Sequence, residues 1–310
     1  MRRWLSLIAR IIVAGLAFWF IYRRLDVSQL RVLIHTFNLR MLGLMFVVYA
    51  FLIFLSAYRW YLLMHRKGLN IHLRRAVEFY FIGLFFNNFL PTSIGGDAVR
   101  AIYTGEYTGH RTEAWGSVLL ERTLAFLGLG TVGFIGATLY KPEACLFHVI
   151  AGFLILILII FVLMFLPSTR KILGRTLPKL KFRGLGDKLL FFYDRLHEYK
   201  GYPGTLITVY FISIFVQLCI AWINFVLGNN LGIPAPFTQY MLNIPLIQIV
   251  SMLPVSINAL GIREGSYIGL FPYDKEALWL LSYSVFFIGL SVSLLGIIPF
   301  MRVRQLHRKT

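Results

Sequence analysis

The sequence predicts an all-α polytopic membrane protein with six transmembrane helices and two re-entrant broken-helix hairpins, arranged as an inverted repeat. Three observations predict it. Of the 310 residues, 58% are hydrophobic and only 14% charged, with a mean hydropathy of +0.72. A soluble globular protein is about one quarter charged, and so few charges do not make a soluble surface. The apolar residues gather into runs of bilayer-spanning length, about 17–25 residues each. Two shorter runs, each broken at a proline, match one another across the halves of the chain.

The full-length runs cover 5–22, 41–64, 114–139, 146–166, 205–227 and 277–300. The first follows Met1-Arg2-Arg3-Trp4 and resembles a signal sequence, but it has no clean small-residue cleavage site and reads as a retained first helix. The shorter run 76–90 ends at Pro91-Thr92-Ser93-Ile94-Gly95-Gly96-Asp97. Its counterpart, 241–253, ends at Pro254-Val255-Ser256-Ile257-Asn258 and resumes to about 271. Helical arms of about 11–15 residues rise only about 16–23 Å, short of a hydrocarbon core of about 30 Å. Proline removes a backbone donor, and glycine or asparagine lets the chain reverse. Irregular backbone survives at membrane depth only where protein covers it or water reaches it. Both segments therefore read as hairpins, with breaks set by Pro91, Gly95 and Gly96 in the first and by Pro254 and Gly261 in the second.

Charge orients the helices. The net charge is +18 and the pI about 10.2. The basic residues flank apolar spans and carry no nucleic-acid-reading motif, so the excess reads as cytoplasmic loop charge and not as a nucleic-acid surface. The linker 167–203 holds nine Lys or Arg against three acids, and the tail ends in Arg302, Arg304, Arg308 and Lys309. Loop 228–239 has no charged residue and faces out. With both termini inside, hairpin one enters from the cytoplasm and hairpin two from outside, in a bacterial or archaeal plasma membrane. The basic faces would attract anionic headgroups of the inner leaflet. Within the linker, Leu189, Phe192, Tyr193 and Leu196 share one helical face. That helix either lies on the leaflet or packs on the end of the bundle.

A shift of 163 residues aligns the two breaks without a gap, giving five identities in eleven positions from Leu90 to Arg100 against Leu253 to Arg263. The same shift lays span five on span two and span six on span three; span four meets span one if the linker is an insertion. The chain is then one integral membrane domain, 1–310, with halves at about 1–140 and 146–300. Short interrupted segments in matching positions mark the binding site of transporters built this way.

Arg100 and Arg263 lead the candidate residues. An arginine at membrane depth costs about 2.5–3.5 kcal/mol or more unless paired or hydrated, and its planar fork suits phosphate. Two readings stand together. The arginines bind a lipid phosphate alongside Asn88, Ser93, Ser256 and Asn258, or they lock the hairpins, with Arg100 on Asp97 or Glu106 and Arg263 on Glu264. Glu121 and Arg122, adjacent inside span three, point in different directions. Glu121 is expected to neutralise Arg100 or to carry a coupling proton, with a bundle-locking ion pair favoured. Arg59, beside Trp60 and Tyr61, reads as a snorkelling residue of an aromatic belt. There is no Walker loop, G-x-S-x-G, H-E-x-x-H or paired catalytic carboxylate, so no catalytic residue is assigned. No Cys or His cluster has metal-ligand spacing; no metal or cofactor is expected.

Three motifs in order carry a family resemblance: Asn88-Phe89-Leu90-Pro91 with Gly95-Gly96-Asp97-Ala98-Val99-Arg100; Val118-Leu119-Leu120-Glu121-Arg122; and Leu253-Pro254-Val255-Ser256 with Gly261-Ile262-Arg263-Glu264-Gly265. With them the chain resembles the lysylphosphatidylglycerol synthase transmembrane-region family, also called flippase-like or UPF0104 proteins. In fused members this region moves aminoacylated phosphatidylglycerol between leaflets, and a soluble C-terminal domain makes the lipid. Here the chain ends at Thr310, ten residues after span six, so it is expected to be a stand-alone member and lysyl transfer is not carried over. The family's Gly-Glu appears as Gly-Gly-Asp. The resemblance implies a lipid translocase acting on anionic or phosphate-bearing phospholipids, with a separate lipid-modifying enzyme as a partner. The alternative is a transferase, or the membrane subunit of one, using a lipid-linked donor; a third reading is an accessory subunit without chemistry.

Overall fold

The computed structural model describes residues 38–89, 95–176, 185–253 and 259–307, and these are helical with short connections. Among the described residues, five helices are long and apolar enough to cross a membrane: Arg40–Arg66, Arg111–Tyr140, Ala144–Phe165, Pro203–Asn230 and Lys275–Arg302. They correspond to predicted spans two to six. Span one lies outside the described residues, as do Pro91, Ser93, Pro254, Ser256 and Asn258.

In chain order the elements are α1 (Leu39–Arg66), α2 (Leu73–Phe89), α3 (Gly95–Thr108), α4 (Arg111–Tyr140), α5 (Ala144–Phe165), α6 (Pro167–Thr176), α7 (Leu185–His197), a tight turn at Glu198–Gly201, α8 (Pro203–Asn230), α9 (Phe237–Ser251), α10 (Ile262–Leu270), α11 (Lys275–Leu294) and α12 (Ile297–His307). Each start has a local cause. Asn38 caps α1 by accepting the Arg40 amide at 3.0 Å, and Asp274 caps α11 by accepting the Ala277 amide at 3.1 Å. Proline opens α8, where its missing donor is harmless.

Helices α2 and α3 pack together as the first hairpin, and α9 and α10 as the second. Their arms of 17, 14, 15 and 9 residues rise about 25, 21, 23 and 14 Å, each short of the bilayer core. The helix starts Leu39, Leu73 and Arg111 recur 164 positions later at Pro203, Phe237 and Lys275. Helices α1 and α8 run antiparallel. Asn38 at the start of α1 donates its amide to Asn230 Oδ1 at the end of α8, at 3.2 Å. At the other end, Leu63 O accepts from Tyr199, just before α8, at 3.2 Å, and Lys67 pairs with Glu198. Hairpin one follows the linker end of α1, and hairpin two follows the opposite end of α8.

Helix α4 is the hub. It packs on α1, α3, α5, α7, α8 and α9, and its span is 67% buried against 11% for α5. Glycine makes this possible. A Cβ at Gly128 would stand 2.8 Å from Ser213 Cβ on α8, and one at Gly136 would stand 2.5 Å from the Leu242 amide on α9. The helices cross backbone to backbone, as small residues allow in membranes. The hairpin arms do likewise, with Gly83 and Gly96 in direct contact.

Predicted span six is matched by the single candidate span Lys275–Arg302, which is interrupted within its length. It breaks at Leu295 and Gly296, where the Gly296 backbone lies against the Phe81 carbonyl of α2 and leaves no room for a side chain. The structure also decides the two readings of the linker helix. In α7, Tyr193 and Leu196 are buried, with Phe192 and Leu196 against Gly116 of α4. The Tyr193 hydroxyl donates to Leu166 O at 3.0 Å, and Arg195 pairs with Glu113 at 3.4 Å. The helix packs on the end of the bundle.

Two predictions follow from these contacts. Gly136→Ala should destabilise the protein in detergent by about 1–3 kcal/mol, because backbone must move. Gly152→Ala meets nothing within 4 Å and should leave the melting temperature unchanged or higher, since alanine favours helix by about 1 kcal/mol. Equal effects at both sites would refute the crossing. The hydrogen bonds from Lys67 to Glu198 and from Arg170 to Asp194 hold both carboxyls below their ordinary range. Their contribution is in force above about pH 4 and disappears as the pH falls through the depressed values. Hydrogen-exchange protection of residues 190–201 should therefore drop in acid before that of α4, and protection indifferent to acid would remove the latch.

Candidate functional site

Five charged side chains meet where α1, α3, α4 and α8 converge. Glu121 on α4 lies ten residues past the helix start, about 15 Å along it. Its Oε1 accepts from Arg59 Nε at 2.8 Å and Nη2 at 2.6 Å, and its Oε2 from Arg100 Nη2 at 2.6 Å. Arg100 Nη2 also reaches Asp97 Oδ1 at 3.0 Å, and Arg122 Nε donates to Asp97 Oδ2 at 2.6 Å. The result is an alternating chain, Arg59–Glu121–Arg100–Asp97–Arg122. Arg59 Nη1 extends it to Ser213 Oγ on α8, at 3.0 Å.

The chain is buried. Side-chain exposure is 1% for Glu121, 2% for Arg100 and 7% for Arg59, rising to 34% only at Arg122. The guanidinium carbon of Arg100 lies 4.8 Å from the Trp60 ring centre and 4.7 Å from that of Tyr80, within cation–π range. Trp60 is itself held by its indole N–H, which donates to Ser117 Oγ at 3.0 Å. The N-terminus of α3 is fixed by Asn87, whose Oδ1 accepts the Gly96 amide at 2.8 Å.

The second hairpin is simpler. Arg263 pairs with the adjacent Glu264, and its Nε donates to Ser282 Oγ on α11 at 3.1 Å. Its guanidinium carbon lies 4.5 Å from the Phe286 ring centre. Glu264 Oε2 accepts the Gly261 amide at 2.6 Å. Gly261 has φ +81°, a conformation glycine adopts without strain. One turn on, Tyr267 donates to Asn224 Oδ1 on α8 at 2.5 Å, and Asn243 Nδ2 ties α9 to Leu270 O at 2.8 Å.

Several expectations meet their outcome here. Arg263 does pair with Glu264. Arg100 takes Asp97 as expected and Glu121 as well, whereas Glu106 is exposed. Glu121 and Arg122 take different partners. Arg59 is a correction: it is a buried member of the ion chain and not a snorkelling belt residue. Its flanking aromatics suggested an interface, but its partner lies on another helix, 62 residues away. The signal in the sequence is Glu121 itself, an acid inside a span that needs a cation from elsewhere in the fold. Asn88 lies at the tip of hairpin one and donates to Ser293 Oγ of α11 at 2.6 Å. Gln248 and Gln217 join α9 to α8 through their amides at 3.1 Å. The structure brings Asp97, Arg100, Glu121 and Arg122 together and places Arg263 and Glu264 in a separate group with different partners.

Glu121→Gln would leave Arg59, Arg100 and Arg122 sharing one carboxylate. A broken buried ion pair costs about 3–5 kcal/mol, so the variant should unfold in detergent well below the parent. Arg59→Gln combined with Glu121→Gln should cost less than the two single effects added, as residues in one network do. Additive losses in thermal unfolding would refute the coupling.

A model of the lysylphosphatidylglycerol synthase TM region matches residues 7–274. A UPF0104 membrane protein of Methanothermobacter thermautotrophicus is 23% identical over 258 residues, covering 74% of this chain and 73% of the relative. No solved structure matches. The matched stretch takes in both hairpins and every charged side chain of the two groups, and the chain belongs to the lysylphosphatidylglycerol synthase TM region family.

Proposed function

We propose that this protein is a lipid translocase, moving a phospholipid or lipid-linked polar headgroup between the leaflets of a bacterial or archaeal cytoplasmic membrane. One observation carries the reading: two short-armed hairpins follow opposite ends of the antiparallel pair α1 and α8. In this reading the halves form an inverted repeat, with recurring helix starts and with Leu90-Pro91 and Leu253-Pro254 in register. Such pairs of interrupted helices bring polar backbone and side chains to membrane depth where a substrate passes. A protein that only anchored itself would need neither. Membership in a family of transmembrane regions named for a lipid synthase supports a lipid as the cargo. In this reading the linker end, and with it the open end of hairpin one, faces the cytoplasm, which the basic residues of the linker and tail support.

The test is a leaflet-access assay. Purified protein is reconstituted into sealed vesicles carrying a headgroup-labelled phospholipid, and a membrane-impermeant reductant is added outside. Inner-leaflet label should lose its protection in protein-containing vesicles and keep it in protein-free ones. Unchanged protection across phospholipid and lipid-linked sugar probes would overturn translocation. Turnover of a lipid-linked sugar by the protein alone would replace it with the transferase reading.

A further inference from the structure

Counting charges in the first group gives three arginines and two carboxylates, an excess of one positive charge, with Arg122 its one partly exposed member. The excess is matched by unused hydrogen-bonding capacity. Arg100 Nη2 serves both Glu121 and Asp97, which fixes the guanidinium, while Arg100 Nε and Nη1 are buried with no partner among the described residues. Thr104 Oγ1 is in the same condition, one helical turn further along the buried side of α3. Buried donors without partners are rare in folded proteins. Three of them on one side of one helix, beside one uncompensated charge, describe a site built for an anion.

The matching arginine of hairpin two carries no such surplus among the described residues. Arg263 is balanced by Glu264, and its Nε is used by Ser282.

We propose that Arg100 and Thr104 form a binding site for one singly charged phosphodiester, and that Arg263 is a positioning residue that holds the break of hairpin two. The class follows from charge and geometry. A monoanion brings the group to neutrality, whereas a doubly charged phosphomonoester would leave an uncompensated negative charge away from water. The two non-bridging oxygens of a phosphodiester can accept from the guanidinium and the hydroxyl together. The proposal rests on the translocase reading for its lipid source and sharpens it, assigning the headgroup phosphate to one half of the molecule.

The experiment measures thermal unfolding of delipidated protein in neutral detergent against increasing dioleoylphosphatidylglycerol, dioleoylglycerol or inorganic phosphate. Dioleoylphosphatidylglycerol should raise the melting temperature saturably, and dioleoylglycerol, with the same chains and no phosphate, should not. Thr104→Val, nearly isosteric, should weaken the apparent lipid affinity about tenfold, the scale of a lost hydrogen bond to a charged group. Arg100→Gln, which leaves two arginines with two carboxylates and so keeps the group balanced, should abolish the shift. Ser282→Ala should leave it intact. Equal shifts from dioleoylglycerol and dioleoylphosphatidylglycerol, or a full shift in Arg100→Gln and Thr104→Val, would overturn the site. Equal loss in Ser282→Ala would overturn its confinement to one half. A matching shift from inorganic phosphate at equal concentration would overturn the lipid source and assign a free anion. The two readings fail separately: a phosphatidylglycerol-specific shift without leaflet exchange removes translocation alone, and exchange without that shift removes the anion site alone.

Discussion

Glu121 holds one half of this molecule together. Its two oxygens are shared between an arginine from α1 and an arginine from the broken hairpin, so one carboxylate fixes three helices at a common point. Hydrophobic burial cannot do this in a bilayer, where lipid chains are as apolar as leucine and helices gain little by exchanging one for the other. Ion pairs of good geometry and close backbone contact do it instead. The chain from Arg59 to Arg122 works because every carboxylate oxygen has an arginine on it, and because Trp60 and Tyr80 lie within cation–π range of the Arg100 guanidinium.

Close contact is the second constraint. The glycines of α4 let α8 and α9 approach to backbone distance, which places Ser213 within reach of Arg59 and keeps the second hairpin against the hub. The same device joins Gly83 to Gly96 in the first hairpin. Polar network and glycine seam depend on each other: removing space between the helices brings the charges into contact, and the charges hold the helices where glycine lets them come.

The large features were legible in the residues. Apolar runs located five of the spans to within a few positions, and the short runs ending at Pro91 and Pro254 announced the paired helices α2 with α3 and α9 with α10. Local ion pairs could be read too, as with Arg263 and Glu264, because they are neighbours in sequence. What could not be read was long-range pairing. Arg59 looks interfacial among Tyr58, Trp60 and Tyr61, and nothing nearby points to an acid on another helix. Thr104 looks like any helical threonine; only the packing of α3 leaves its hydroxyl without a partner. The break in the last span hides because Gly296 sits in an apolar stretch, and its cause is the Phe81 carbonyl of a helix more than two hundred residues earlier.

The antiparallel pairing of α1 with α8 has a practical consequence. One hairpin, at the linker end, carries an ionic group with a surplus cation; the other, at the opposite end, is electrically balanced. Turning the molecule over in the bilayer therefore does not return the same molecule. Purified protein that enters vesicles both ways round presents two chemically distinct ends to the outer medium, and under the translocase proposal time courses recorded on such vesicles should be decomposed into two exponentials before any single rate constant is ascribed to the protein. Sorting the vesicles by protease access to the basic linker would separate the two.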